Sequence, residues 1–240
     1  MRRDGILIIN KSQGMTSHDV VQLARRRLGT RRVGHAGTLD PMAQGVLILV
    51  VEGAVKHQQA LQAHHKRYDA VIQLGTRTGT GDAWGTPIET APVPVLSRED
   101  VEAVLASCVG RIRQVPPSFS AVKIHGRPLY WWARRGMPLV ARARTVEIFR
   151  AELVELESAS IRCRIECSSG TYIRSLAETI AERLGTVGHV SKLTRLAVGS
   201  WEVSQARDVQ WLSTASSKEL WAAVYSMEDV HADRGRLARA

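Results

Sequence analysis

The stretch GHAGTLDPMAQGVLILVVEGAVK, residues 34–56, places one carboxylate, Asp40, in a loop of small residues just before an unbroken apolar run. Read locally, glycine supplies backbone freedom, Pro41 pushes Asp40 toward an extended conformation, and a turn-forming aspartate accounts for the pattern. The chemical reading is a nucleophile: a carboxylate on a rigid loop, backed by a buried strand, can attack a substrate at a cleft. Such a carboxylate has to stay ionised, and an arginine nearby would keep it so. The segment GTYIRSL, residues 170–176, offers Arg174 between Ile173 and Leu176 at the start of an apolar helical stripe. A solvated first-turn arginine fits the same pattern, so local sequence leaves both residues with two readings.

A third constellation, PPSFSAVKIHGRPLYWWARRG at residues 116–136, interleaves Phe119, Tyr130, Trp131 and Trp132 with Lys123, Arg127, Arg134 and Arg135. Rings stack on bases while cations meet phosphates, which suits nucleic acid; a core strand with flanking charges is the plainer alternative. The glycine-rich GTRTGTGDAWG, residues 75–85, lacks the GK[ST] of a phosphate-binding P-loop. No HExxH, no GxSxG and no credible metal-ligand cluster is present, so whatever chemistry occurs is expected to proceed without a recognised cofactor.

These residues need elements to hold them. GILIIN (5–10) reads as a short buried strand, and TSHDVVQLARRRLG (16–29) as a helix capped by Thr16 or Ser17, with Val20, Val21, Ala24 and Leu28 inward. Residues 30–45 form the loop that carries Asp40, and VLILVV (46–51), apolar on both faces, reads as a central strand. In KRYDAVIQLG the alternation puts Tyr68 on the apolar side with Ala70, Ile72 and Leu74. SREDVEAVLASCVG (97–110) is a helix that opens with Ser97 and Asp100 at capping-box spacing and ends at Gly110, with Val101, Val104, Leu105 and Cys108 inward. IRCRIECS alternates as a strand, TPIETAPVPVLS (86–97) is a surface connection, and TYIRSLAETIAERLG carries a helical stripe. Helices and strands do not alternate as βαβ units, so the predicted class is α+β with a mixed or largely antiparallel central sheet flanked by helices and loops.

Composition narrows the partners. The chain has 240 residues, 44% of them hydrophobic, enough for a sizeable core, and a net charge of +10 from 33 Lys+Arg against 23 Asp+Glu. The excess lies in short clusters, Arg25-Arg26-Arg27, Arg31-Arg32, Arg134-Arg135 and Arg142 with Arg144, and favours a polyanion such as nucleic acid, although solvated arginines would look the same. Three cysteines without a CxxC pair suggest neither a disulfide framework nor a zinc site, and no segment is long and apolar enough to span a bilayer. A cytoplasmic protein without a membrane partner is expected.

Taken together and in order, NKSQGMTSHDVV, VGHAGTLDPMAQGVLIL, KRYDAVIQLG, GDAWG, QVPPSFSAVKIHGRPLYWWARRG, CSSGTYIRSLAETI and HVSKLTRLAVGSW resemble the TruB family of tRNA pseudouridine synthases over roughly residues 5–202. The resemblance implies a pseudouridine synthase fold, no cofactor, and conversion of a uridine at position 55, in the T-loop of tRNA, to pseudouridine with Asp40 as nucleophile. It further implies that Tyr68 stacks on the flipped uracil, that Arg174 partners the nucleophile with Tyr172 beside it, that Leu193 walls the base pocket, and that His35 enters the space the base vacates. Lys11 is expected to support the active-site surface, with Lys123 and Arg127 as RNA or pocket contacts. The carboxylate could act by covalent attack or by removing a sugar proton, and the sequence leaves both routes open.

Some positions depart from the family pattern. Ser12 stands where a proline is usual, Gly79 where an acidic residue is usual, Trp84 for a usual glutamate and Phe119 for tyrosine. Residues 1–205 are expected to form the catalytic domain and 206–240 a short extension, with a helix in SSKELWAAVYSMEDV and a basic end, HADRGRLARA, too short for a full RNA-binding domain of the PUA type. The T stem-loop of tRNA is the expected partner, with no obligatory protein partner and a monomeric state. Two rivals stand beside this reading: a synthase subunit that works with guide RNAs, and an RNA-binding chaperone of tRNA folding with little turnover. A sugar hydrolase would call for a second, paired carboxyl group, and none stands out.

Overall fold

The computed structural model describes residues 3–230. Its elements in chain order are β1 (Gly5–Lys11), α1 (Ser17–Leu28), β2 (Val33–His35), β3 (Gln44–Val51), α2 (Gln58–Gln62), β4 (Lys66–Leu74), β5 (Thr76–Thr78), β6 (Pro87–Thr90), α3 (Arg98–Ser107), β7 (Gly110–Gln114), β8 (Lys123–Ile124), β9 (Arg127–Pro128) and α4 (Leu129–Ala133). There follow β10 (Arg144–Leu156), β11 (Ser160–Cys167), α5 (Ile173–Arg183), β12 (Gly188–Val198), β13 (Trp201–Glu202), β14 (Arg207–Asp208), α6 (Val209–Thr214), α7 (Ser217–Ala222) and β15 (Tyr225–Ser226). The chain divides into two compact units, one made of the residues up to Arg67 together with those from Thr194 onward, the other of Tyr68–Leu193.

In the first unit the strands run β14-β1-β3-β12. β1 and β3 pair antiparallel from Gly5 opposite Val51 to Lys11 opposite Gly45, and the end of β12 joins β3 in parallel through Thr194 opposite Gln44 and Arg195 opposite Gly45. Both sheet faces are covered, which is why residues 46–51 read as one apolar run. Leu47 and Leu49 join Leu7 and Ile9 against Val20, Val21 and Ala24 of α1, whereas Val46, Ile48 and Val50 face Ile6, Ile8, Leu61 and Trp201. α1 starts at Thr16 with a reciprocal capping box to Asp19 and stops at left-handed Gly29.

The segment after residue 205 packs on this same unit: Val209, Leu212, Ala215, Leu220 and Val224 share the core cluster of α1. The predicted helix over 216–230 is interrupted. α7 ends at Ala222, and Tyr225 and Ser226 pair with Ile6 and Gly5 as β15, because β1 presents an edge whose backbone groups take a partner strand. The basic end HADRGRLARA lies outside the described residues.

In the second unit the order is β12-β4-β11-β10-β7. β4 buries Tyr68, Ala70, Ile72 and Leu74, and β11 buries Ile161, Cys163, Ile165 and Cys167, as the alternation predicts. α3 packs on β10 and α5. It carries the Ser97–Asp100 capping box but ends at Ser107, short of the predicted Gly110, and Val104 is only half-buried. Gly110, at φ +102°, opens β7 instead. The stretch 86–97 is exposed for most of its length, yet its start forms β6, paired with β5 in a two-stranded sheet. The class is α+β with a largely antiparallel sheet, as expected, the described parallel pairs being β1 with β14 and β3 with β12.

Candidate active site

Asp40 lies in the first unit, half-buried, at the first position of a turn that Ala43 N–H closes onto the Asp40 carbonyl at 3.0 Å, with Pro41 second. The turn-forming reading therefore holds for its backbone. What local sequence did not show is how firmly the flanking chain is held. Ser17 Oγ, from the first turn of α1, donates to the Leu39 carbonyl at 3.0 Å and accepts Leu39 N–H at 2.8 Å. The Pro41 carbonyl accepts Gly14 N–H at 2.9 Å and Lys11 Nζ at 3.5 Å.

Arg195 holds the other side. Its side chain, in a residue 1% exposed, donates through Nε to the Val46 carbonyl at 2.7 Å, through Nη1 to Thr38 at 3.1 Å and through Nη2 to Gly37 at 3.1 Å. One guanidinium thus grips the chain before and after Asp40, and its planar fork suits three acceptors. The grip needs Gly45, where a Cβ would fall 2.2 Å from the Arg195 carbonyl oxygen. A signal was present in the sequence: Arg195 falls between Leu193 and Ala197 at the inward register of a strand, where a charge calls for an explanation.

Lys11 is fully buried and donates to the carbonyls of Ser12 at 3.0 Å and Met15 at 2.7 Å as well as to Pro41. Burial lowers its pKa to about 8; the Asp40 carboxylate opposes that shift, and the neighbouring Arg195 adds to it. Between about 8 and the ordinary 10.5 the unfolded chain binds more protons at this site than the folded one, so this group makes stability rise with pH across that window. Turnover should move the other way, because above about 8 the cation beside the Asp40 turn disappears. A single-turnover pH profile should fall above pH about 8 in the wild type and lose that limb, at a lower plateau, in Lys11→Met; the same limb in both proteins would show that Lys11 does not cause it.

His35, in β2, is half-buried, and its Nδ1 has no partner among the described residues. Burial, then Arg195 and His18, hold its pKa below the usual histidine value, so the ring is neutral at pH 7.

The second unit holds the other residues of interest. Tyr68 is 8% and Leu193 6% exposed, on β4 and β12. Tyr172 is the N-cap of α5 without a cap bond from its own side chain. Gln114, buried at the end of β7, fixes the backbone of this residue by accepting Tyr172 N–H at 2.7 Å and donating to the Tyr172 carbonyl at 3.0 Å.

Arg174 is not a solvated first-turn residue: it is 3% exposed. It donates to the carbonyls of Thr80 at 2.7 Å and Phe119 at 2.9 Å, with the Asp82 carboxylate 3.9 Å away. Phe119 takes part through its backbone, so the missing tyrosine hydroxyl does not touch this bond. Asp82, Gln114 and Arg195 were not singled out by the sequence reading, and Ser17 was read only as a possible helix cap.

Lys123 and Arg127 are exposed, on the hairpin of β8 and β9. His125 and Gly126, both at positive φ, make its two-residue turn. Residues 116–136 form no core strand. The Arg127 and Arg135 guanidinium groups lie 5.4 and 3.7 Å from the Trp131 ring centroid, and Arg134 lies 5.5 Å from that of Tyr130. The structure therefore places Lys11, His35 and Asp40 in the first unit and Tyr68, Lys123, Arg127, Tyr172, Arg174 and Leu193 in the second.

On this α+β scaffold the first unit holds the Asp40 turn between the buried Lys11 and Arg195, and the second unit buries Tyr68 and Arg174. Comparison with known proteins names the family. The model of the TruB family pseudouridylate synthase (N terminal domain) matches residues 25–173. The tRNA pseudouridine synthase B of Mycobacterium bovis (strain BCG / Pasteur 1173P2) is 46% identical over 213 residues, 87% of this chain and 72% of that protein. Its counterpart in Aromatoleum aromaticum is 44% identical over 203 residues, 85% of this chain and 66% of that protein. A crystal structure of a Cbf5-Nop10-Gar1 complex contains a chain with 28% identity and a TM-score of 0.72, covering 95% of this chain and 61% of that one. This chain belongs to the TruB family of pseudouridylate synthases. It spans about two thirds of the length of the proteins it matches.

Proposed function

We propose that this chain isomerises uridine to pseudouridine in tRNA, at position 55 in the T-loop. The N1–C1′ bond breaks, the uracil turns, a C5–C1′ bond forms, C5 loses its proton and N1 gains one. Nothing is oxidised or carried away, so the reaction balances without a redox partner. The target base has to leave its stack to be reached. In this reading Asp40 assists cleavage at C1′, Tyr68 stacks on the extruded uracil, Leu193 walls it, His35 enters the vacated space and Arg174 is the cation that the family resemblance assigns to the carboxylate. Residues 1–205 carry the chemistry, and the protein works in the cytoplasm as a monomer without an obligatory protein partner. Among the described residues no helix is long and apolar enough to cross a membrane.

The observation that supports this reading best is the Asp40 turn, fixed from both sides by Ser17, Lys11 and Arg195 within a family of pseudouridylate synthases. Chemical mapping of pseudouridine in an unmodified tRNA transcript incubated with the protein tests it, and a single modified T-loop position is the expected result. Modification elsewhere would correct the site, and none at all would overturn the activity.

The net charge of +10 also predicts strongly salt-dependent binding. Two of the clustered arginines are engaged by the protein itself: Arg25 donates to the Val33 carbonyl and Arg27 to that of Ala215. Arg26 and Arg31 are exposed and can meet phosphates. With several phosphates neutralised, log Kd plotted against log salt should have a slope of roughly 3 or more, at about 0.7–0.9 per contact. A flat plot would rule out this electrostatic footprint.

A further inference from the structure

The turn over residues 78–86 presents one large ring to solvent. Trp84 is 54% exposed, yet the backbone beneath it is tied down at many points. Asp82 Oδ1 accepts Trp84 N–H at 3.1 Å and the Thr80 hydroxyl at 2.7 Å. The Asp82 carbonyl accepts the Thr78 hydroxyl at 2.7 Å and Gly85 N–H at 3.1 Å. Gly79 N–H reaches the Thr86 carbonyl at 3.0 Å, and Ala83 N–H and the Gly81 carbonyl bond Val190 of β12 at 2.9 and 3.1 Å. Gly85 has no room for a side chain, since a Cβ there would lie 2.4 Å from Thr80 Oγ1.

This turn is also the one that Arg174 holds, through the Thr80 carbonyl at 2.7 Å and the Asp82 carboxylate at 3.9 Å. Trp84 is two residues from Asp82, so their Cα atoms are at most about 7 Å apart. A rigid exposed indole therefore belongs to the same short turn that the buried Arg174 holds. A single ring on a fixed backbone loses little freedom when a planar group stacks on it, and the chain's charge of +10 selects a polyanion that carries planar groups. Trp84 stands where the family usually has glutamate, so the contact belongs to this chain.

We propose that Trp84 is a stacking platform for an RNA base near the uridine that is isomerised, an inference that rests on the pseudouridine synthase reading. Trp84→Ala, Trp84→Glu and Trp84→Phe, compared with the wild type, test it on an unmodified tRNA transcript. Two readouts are needed: Kd by filter binding, and the single-turnover rate of tritium release from C5-labelled uridine at saturating enzyme. The alanine and glutamate variants should weaken Kd about tenfold and the phenylalanine variant by less than about threefold, as expected for loss or retention of one base stack. The saturated rate should stay within about twofold, because a stacked neighbour acts in binding rather than in the bond changes. Unchanged Kd in the alanine and glutamate variants, with an active wild type, overturns the platform. A wild type that binds without releasing tritium overturns the synthase reading instead, and the same Kd series still decides whether Trp84 touches RNA. The bonds that hold this turn use backbone groups and the Thr80 and Asp82 side chains rather than the indole, so these variants are expected to fold.

Discussion

Asp40→Asn is expected to abolish pseudouridine formation, with a loss of at least about 10⁴-fold in single-turnover rate, the scale seen when the essential nucleophile of an enzyme is removed. The loss should be one of chemistry. Asparagine is isosteric, favours the same turn position, and leaves the Ala43 N–H bond to the residue-40 carbonyl in place. The hydrogen bonds of Ser17, Lys11 and Arg195 to the neighbouring carbonyls of Leu39, Pro41, Thr38 and Gly37 do not use the group being changed. RNA affinity should change by little. Both routes open to the carboxylate, covalent attack and removal of a sugar proton, need an ionised oxygen that the amide lacks, so the loss does not depend on which one operates. A variant that binds tRNA and keeps even a hundredth of the wild-type rate would move the nucleophile elsewhere.

Arg195→Met should produce the next largest effect, on rate and stability together. The substitution removes a donor from the carbonyls of Gly37, Thr38 and Val46, and the bonds to Gly37 and Val46 are buried. Unsatisfied buried polar groups cost about 1–3 kcal/mol each, so a loss of roughly 2 kcal/mol or more is expected. For a chain of this size that lowers Tm by several degrees. The consequence for catalysis follows from position. Gly37 and Thr38 lie three and two residues before Asp40, and a displacement of about 1 Å at a reacting group can cost about 10²-fold in rate. Arg195 is thus a positioning residue. Measured well below the melting transition, Arg195→Met should turn over about 10² times more slowly at near wild-type Kd. Arg195→Lys, which restores the charge without the planar fork, should recover part of the stability and little of the rate. A variant that melts early but turns over normally in the cold would make Arg195 a structural residue only.

What could be read from the sequence was what short-range chemistry decides. Thr16 with Asp19 and Ser97 with Asp100 form their capping boxes because each needs only residues three apart. The faces of α1, β4 and β11 follow from periodicity alone. Bonds between distant segments were not legible. Arg195 holds a loop more than 150 residues away in sequence, and Gln114 clamps Tyr172 across 58. Neither spacing leaves a local pattern, although a charge at an inward strand position was a visible anomaly. The break between α7 and β15 has the same origin: Tyr225 answers to the edge of β1, whereas SSKELWAAVYSMEDV by itself reads as one helix. Arg174 was ambiguous because the carbonyls that bury it, of Thr80 and Phe119, come from loops 94 and 55 residues away.

The most direct measurement of the central claim is tritium release from C5-labelled uridine in an unmodified tRNA transcript by the wild-type protein, with a second transcript in which the T-loop target uridine is replaced. The account predicts release approaching one tritium per intact transcript and none from the altered one, because C5 gives up its hydrogen only where the new C5–C1′ bond forms. Tight binding of the intact transcript without any release would contradict it, and would leave an RNA-binding protein that assists tRNA folding as the better description.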